Sequence, residues 1–162
     1  MQIRHTQYQD LPHLLEIYEE ARAFMRQQGN PTQWTNGYPS KELLTQDIQQ
    51  HVSYVCVEKG RIVGTFAFII GDDPTYQIIE QGAWHAHTVY GTIHRSASDG
   101  TTKNLTKYIF DYCTAQQQYV RIDTHQDNKP MQNALKRYGF VPCGIIHVDD
   151  GSPRIAFDYI TD

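Results

Sequence analysis

Leu105, Tyr108, Ile109, Tyr112 and Cys113 recur at the i, i+3, i+4, i+7 and i+8 spacing of an amphipathic helix. The stretch Thr88 to Ala97 before it reads as a central strand. Val120-Arg121-Ile122-Asp123-Thr124 directly after it alternates apolar with polar, as a half-buried strand does. Strand, helix and strand in this order form a crossover unit. The two strands must run parallel, and the helix N-terminus must sit at the C-terminal end of the first strand. Backbone amides and the helix dipole make that corner a ready anion site.

The rest of the chain builds around this unit. Gln2 to His5 reads as a first strand, Asp10 precedes a helix carrying Leu11, Leu14, Leu15, Tyr18, Ala21 and Met25, and Gly29 ends it. The loop from Asn30 to Pro39 is rich in turn formers, yet carries Trp34 and Tyr38. Ser40 caps a second helix. Ser53 to Val57 and Ile62 to Ile70 form a hairpin, Gln77 to Glu80 read as a strand edge, and Phe140 to Val148 pairs with Arg154 to Tyr159. Asp127 or Asn128 can cap a helix holding Met131, Leu135 and Tyr138, which Gly139 closes. This order predicts one domain over residues 1–162, of α/β (α+β) class. Its sheet is mixed and mostly antiparallel, with six or seven strands, helices on both faces and one parallel crossover pair.

Composition narrows the partners. The formal net charge is −4 and no run of Lys or Arg occurs, which argues against nucleic acid and leaves a cationic amine open. There is no apolar stretch of membrane-spanning length and no cationic leader, so no membrane partner and a cytoplasmic location are expected. Cys56, Cys113 and Cys143 are odd in number, widely spaced and set in apolar patterns, so buried free thiols are expected.

The ordered run from about Tyr90 to Phe140 resembles the C-terminal half of GNAT-type N-acetyltransferases. It comprises Ile93-His94-Arg95-Ser96-Ala97-Ser98, the run of small and hydroxylic residues from Ser96 to Asn104, the amphipathic helix, the strand to His125, and Asn128 through Gly139-Phe140. The resemblance implies an enzyme that moves an acetyl group from acetyl-CoA to a primary amine in a ternary complex. A homodimer is compatible with it. The backbone of Ser96, Ala97 and Ser98 would bond the pantetheine arm. Gly100, Thr101, Thr102, Lys103, Asn104, Leu105 and Thr106 would hold the pyrophosphate, and Asn128 and Met131 would flank the thioester. The family's alternating glycines are replaced here by Thr102, Asn104 and Thr106, and Leu135 stands where a Tyr often supplies the proton for the leaving thiolate. Those two departures support an alternative, an acyl-CoA-binding or protein-interaction domain without turnover.

A base for the amine is expected among His125, His94, Asp123 and Glu80, with His125 first because it ends a strand and titrates near neutrality, and His94 second. Each has a structural reading beside the catalytic one. Trp34, Tyr38, Tyr76 and Trp84 form either an acceptor pocket or a small core closing over loops. His85 and His87 have the spacing of a metal-binding pair on one strand face, but no third ligand stands nearby in sequence, and no metal is expected.

Overall fold

The computed structural model describes residues 1–162. Seven strands lie in one sheet of order β1-β2-β3-β4-β5-β7-β6: β1 (Gln2–His5), β2 (Ser53–Glu58), β3 (Arg61–Ile70), β4 (Gly91–Ser98), β5 (Tyr119–Thr124), β6 (Val141–His147) and β7 (Pro153–Ile160). The helices are α1 (Leu11–Gln27), α2 (Lys41–Gln49), α3 (Leu105–Gln116) and α4 (Lys129–Tyr138). All neighbours pair antiparallel except β4 and β5, whose strands the α3 crossover makes parallel. This is the fold class the periodicities predict.

Alternation along the strands distributes side chains to two layers. On one face Val120, Ile122 and Ile93 join Leu105, Ile109, Phe110 and Cys113 of α3 and Leu135 of α4 in the main core. On the other, α1 and α2 pack over Val55 and Ala97 through Leu14, Ile17, Tyr18, Leu44 and Ile48. A third cluster on this second side gathers Tyr76, Trp84, Tyr90, Tyr119, Cys143 and Ile146 under the chain that joins β3 to β4. A cavity opens along the seam between these last two clusters.

Two irregularities shape that seam. β4 pairs with β5 at only Gly91↔Val120 and Thr92↔Arg121, after which the strands part. On its other edge β4 bulges: Thr65 pairs Ala97 and Ala67 pairs His94, so Arg95 and Ser96 face the single residue Phe66. Arg95 takes a left-handed conformation at φ +53°, held by Tyr18 Oη donating to its carbonyl at 2.6 Å and by a bidentate pair with Asp47 at 2.9 Å.

Local expectations hold with small shifts. Ser40 Oγ accepts from Leu43 N and Asn128 Oδ1 from Met131 N, the caps the sequence suggests. Asp10 does not cap α1 with its side chain; the carboxylate binds Arg4 and Gln7 N instead, each at 2.8 Å. Gln77 to Glu80 is reduced to one bridge, Glu80 with Ile145. Trp84 to His87 lie in irregular chain and not on a strand, so the paired-face argument for His85 and His87 does not apply. The three cysteines are free and buried.

Candidate functional site

Where β4 and β5 part, a cavity of about 650 Å³ opens, lined by His94, Arg95 and Ser96 of β4, Ile122 to Thr124 of β5, Asn128 and Met131 of α4, Trp34 and Tyr38, Asp73 and Asp149. Its roof is the loop after α1, which α1, β4, α4 and β7 pin down. Gln33 Oε1 accepts from Asn30 Nδ2 at 2.8 Å and from Asn128 Nδ2 at 3.0 Å, while the Gln33 carbonyl accepts from Arg154 Nη2 at 3.1 Å. Trp34 meets Tyr18 edge-on at 5.6 Å, and Tyr38 Oη lies 3.4 Å from Arg95 Nη1. The aromatic loop therefore packs onto something, as its composition demands.

At the floor, the parallel register sets His94 and Asp123 level across the gap, each two residues beyond the Thr92↔Arg121 pair. His94 Nε2 bonds Asp73 Oδ2 at 2.8 Å, and Asp73 Oδ1 accepts from Thr75 N and Oγ1. Burial pushes the Asp73 carboxyl up, but the hydrogen bonds from His94 and Thr75 outweigh it and hold the group down at about 2. Asp123 goes the other way: desolvation raises it, against the hydrogen bond from Tyr76 Oη at 2.6 Å and the nearby His94 charge. Tyr76 is in turn held well above its ordinary value by burial and by the Asp123 carboxylate. Two carboxyls in one cavity thus carry opposite shifts.

His125 does not line the cavity. It is buried, Nδ1 accepts from Asp127 N at 3.0 Å and Nε2 faces Thr32 Oγ1 at 3.0 Å, so both ring nitrogens are engaged. Burial, then Arg154, lowers its pKa. Glu80 is exposed and away from the cavity, 3.9 Å from His147 Nδ1. Of the aromatics, Trp34 and Tyr38 line the cavity. Tyr76 supports Asp123 from below, and Trp84 is buried behind it, donating from Nε1 to the Tyr76 carbonyl at 3.0 Å. Two of the four thus line the cavity and two lie in the cluster beneath it. Leu135 is fully buried in the main core, and Tyr138 packs on Phe110, Phe140 and Tyr159 with its hydroxyl on Asp111 at 2.8 Å.

Ser96 and Met131 line the cavity, and Ser98 ends β4 at the turn that leads to α3. There Gly100 N donates to Ser98 Oγ and Thr101 N to Asp99 Oδ1, so Asp99 faces its own turn. The next five amides, those of residues 102 to 106, have no acceptor within the protein, and Asn104 is left-handed at φ +60°. Successive free amides at a helix start, with Lys103 exposed among them, suit a pyrophosphate. Asp73 and Arg154 were not singled out in the sequence. Asp73-Pro74-Thr75 reads locally as a turn, and nothing near it signals a histidine 21 residues on.

No family model matches the chain, and no curated protein matches it by sequence. Solved structures do. A GNAT-family acetyltransferase from Streptococcus agalactiae 2603 is 29% identical over 99% of this chain and 95% of its own, with a TM-score of 0.91. A GNAT-family acetyltransferase from Listeria monocytogenes 4b F2365 is 16% identical, covers 98% and 94%, and has a TM-score of 0.70. The GphF GNAT-like decarboxylase in complex with isobutyryl-CoA is 16% identical, covers 99% of both chains and has a TM-score of 0.63. The seven-stranded sheet with its single parallel pair is thus that of a GNAT-type N-acetyltransferase fold, which this chain has.

Proposed function

We propose that the protein is an acetyl-CoA-dependent N-acetyltransferase that acts on a cationic primary amine. The observation that carries this reading is the facing pair His94 and Asp123 at the point where β4 and β5 part, with Asp73 fixing the imidazole. Acetyl-CoA supplies the activated acyl group. The free amides of residues 102 to 106 would hold its pyrophosphate, and the edge of β4 from Ser96 to Ser98 its pantetheine arm. Asn128 and Met131, at the start of α4 on the cavity wall, would border the thioester.

An amine arrives as an ammonium ion and must lose a proton before it can attack a carbonyl. His94 is the group suited to take it: Nε2 is held by Asp73, which leaves Nδ1 without a partner in the protein. The cavity charge favours the cation. Asp73, Asp123, Asp149 and Asp150 line it, while Arg95 is neutralised by Asp47 and Arg154 is spread over Ser152, Pro153 and Gln33. Trp34 and Tyr38 would hold the body of the acceptor. Leaving thiolate meets no phenol at the Leu135 position, and thiols of ordinary acidity leave tolerably without a positioned acid.

A second reading rests on Leu135 and on Thr102, Asn104 and Thr106 in place of the alternating glycines: a domain that binds acyl-CoA without turnover. Titration calorimetry with acetyl-CoA and release of free thiol with a panel of polyamines, amino acids and peptides test both. Binding with amine-dependent CoA release supports the transferase. Binding with release at the buffer rate for every amine supports the silent domain, and no binding at millimolar acetyl-CoA removes both.

A further inference from the structure

On the side of the third cluster, three side chains from distant parts of the chain converge on one point. His85 Nδ1 lies 2.7 Å from Asp158 Oδ1 and 3.3 Å from Cys143 Sγ, and the three atoms all stand within 4.8 Å of one another. A Cys, His and Asp together suggest a nucleophilic relay, but that chemistry needs the thiol on one ring nitrogen and the carboxylate on the other. Here both partners meet the same nitrogen, and Nε2 makes no hydrogen bond within the protein. Three potential ligand atoms from distant segments thus crowd a single point.

We propose that His85 Nδ1, Cys143 Sγ and Asp158 Oδ1 bind a divalent metal ion of the zinc class, with a fourth position open to solvent. The mixed nitrogen, sulfur and oxygen set suits zinc rather than magnesium or calcium, which prefer oxygen alone. Asp158 is 2% exposed and the His85 side chain 47%, so the site has a closed floor and an open rim.

The surroundings are built to aim these ligands. Cys143 is the extra residue of a bulge in β6, where Pro142 pairs Phe157 and Gly144 pairs Ala156, and such bulges turn a side chain out of the regular ladder. Asp158 Oδ2 accepts from His85 N and from Tyr119 Oη, each at 2.8 Å, which leaves Oδ1 for the ion. Tyr119 Oη is fixed by Arg121 Nε at 3.1 Å, and the Arg121 guanidinium lies 4.1 Å over Trp84 and 3.9 Å over Tyr90. An outer set of partners that orients each ligand is what metal sites require. Gly82 also lets the chain before His85 touch β6: a Cβ there would stand 1.9 Å from the Cys143 carbonyl.

Tetrahedral ligands at about 2.0–2.3 Å from a common ion stand roughly 3.3–3.6 Å apart. The His85–Asp158 separation must therefore lengthen by less than about 1 Å, which the place of His85 in exposed irregular chain allows, while Cys143 Sγ and Asp158 Oδ1, within 4.8 Å of each other, draw to the same range. On binding, the thiol proton leaves to solvent and the imidazole carries its proton on Nε2. The ion would tie the segment between β3 and β4 to the β6–β7 hairpin.

Cobalt tests this on the full chain, stripped with a chelator and dialysed. One equivalent of Co²⁺ should produce a near-ultraviolet sulfur-to-cobalt charge-transfer band that Zn²⁺ abolishes, and Zn²⁺ should raise the melting temperature. Cys143→Ser should remove the band. His85→Ala, at an exposed position that folding tolerates, should weaken cobalt binding at least tenfold, and His87→Ala should leave it unchanged. No band at any cobalt ratio overturns the site, as does a band that survives Cys143→Ser or binding that His85→Ala leaves intact. None of these readouts depends on acyl transfer.

Discussion

His94 and Asp73, one on a central strand and the other on the loop before a 3-10 turn, meet through a 2.8 Å hydrogen bond at the edge of the cavity. The bond fixes which imidazole nitrogen faces the ligand. His94→Ala should lower kcat by about 10²- to 10⁴-fold, the range of a lost general base. Acetyl-CoA affinity, measured by calorimetry, should stay within a factor of two or so. Asp73→Asn should give a smaller loss, because the base remains and only its orientation loosens. Turnover within about threefold of the parent for His94→Ala would exclude it as the base.

The opposed carboxyls make a prediction about stability. Asp73, held at about 2 against an ordinary 3.8, stabilises the fold fully above pH ~4 and loses that contribution as pH falls toward 2. Asp123 is raised, so its ionised form opposes folding at neutral pH and the opposition fades on acidification. Asp123→Asn keeps an acceptor for Tyr76 and should melt higher than the parent at pH 7, by about 2–4 °C for each kcal/mol relieved. The gain should vanish near pH 4. Asp73→Asn should melt lower at pH 7 and converge with the parent near pH 2. Thermal unfolding across pH 2–8 reads both.

Trp34 lines the cavity and is held edge-on by Tyr18. Trp34→Ala should raise the KM for the amine while leaving acetyl-CoA affinity nearly unchanged. Equal loss of both, with a lower Tm, would assign Trp34 to packing.

Tyr138 has its hydroxyl on Asp111 and Thr114, on the α3 side of the main core, and its pKa is pushed up to about 12, first by burial. Tyr138→Phe should change turnover less than threefold and reduce stability by about 1 kcal/mol, the worth of one ordinary hydrogen bond. A large fall in kcat with normal folding would make this phenol the missing acid.

The strands, helices and their order were readable because each advertises itself locally: α3 by its apolar spacing, α2 and α4 by Ser40 and Asn128, β5 by its alternation. The parallel pair and the anion corner at the start of α3 follow from the crossover. What was not readable is which side chains meet across the sheet. His125 has the better local argument, at a strand end, yet Thr32 and Asp127 N take up its ring, while His94 gains Asp73 from a loop. Cys143 and Asp158 lie 58 and 73 residues from His85, so no spacing could bring them to notice. Tyr76 and Trp84 carry both a pocket and a packing reading in the sequence, and the structure packs them under Asp123 and around Arg121.

The parting of β4 from β5 after two pairs leaves two strand edges in the middle of a sheet, where an unbroken ladder has none. Edges invite pairing, and native chains blunt them at the margins with charge, proline or bulges. Here the Arg95 bulge lies on the opposite side of β4, toward β3, so it does not shield the gap. The ligand-free protein should therefore be the form that self-associates on heating. Acyl-CoA lying along β4 should slow amide exchange in both strands and raise the concentration at which the protein stays clear.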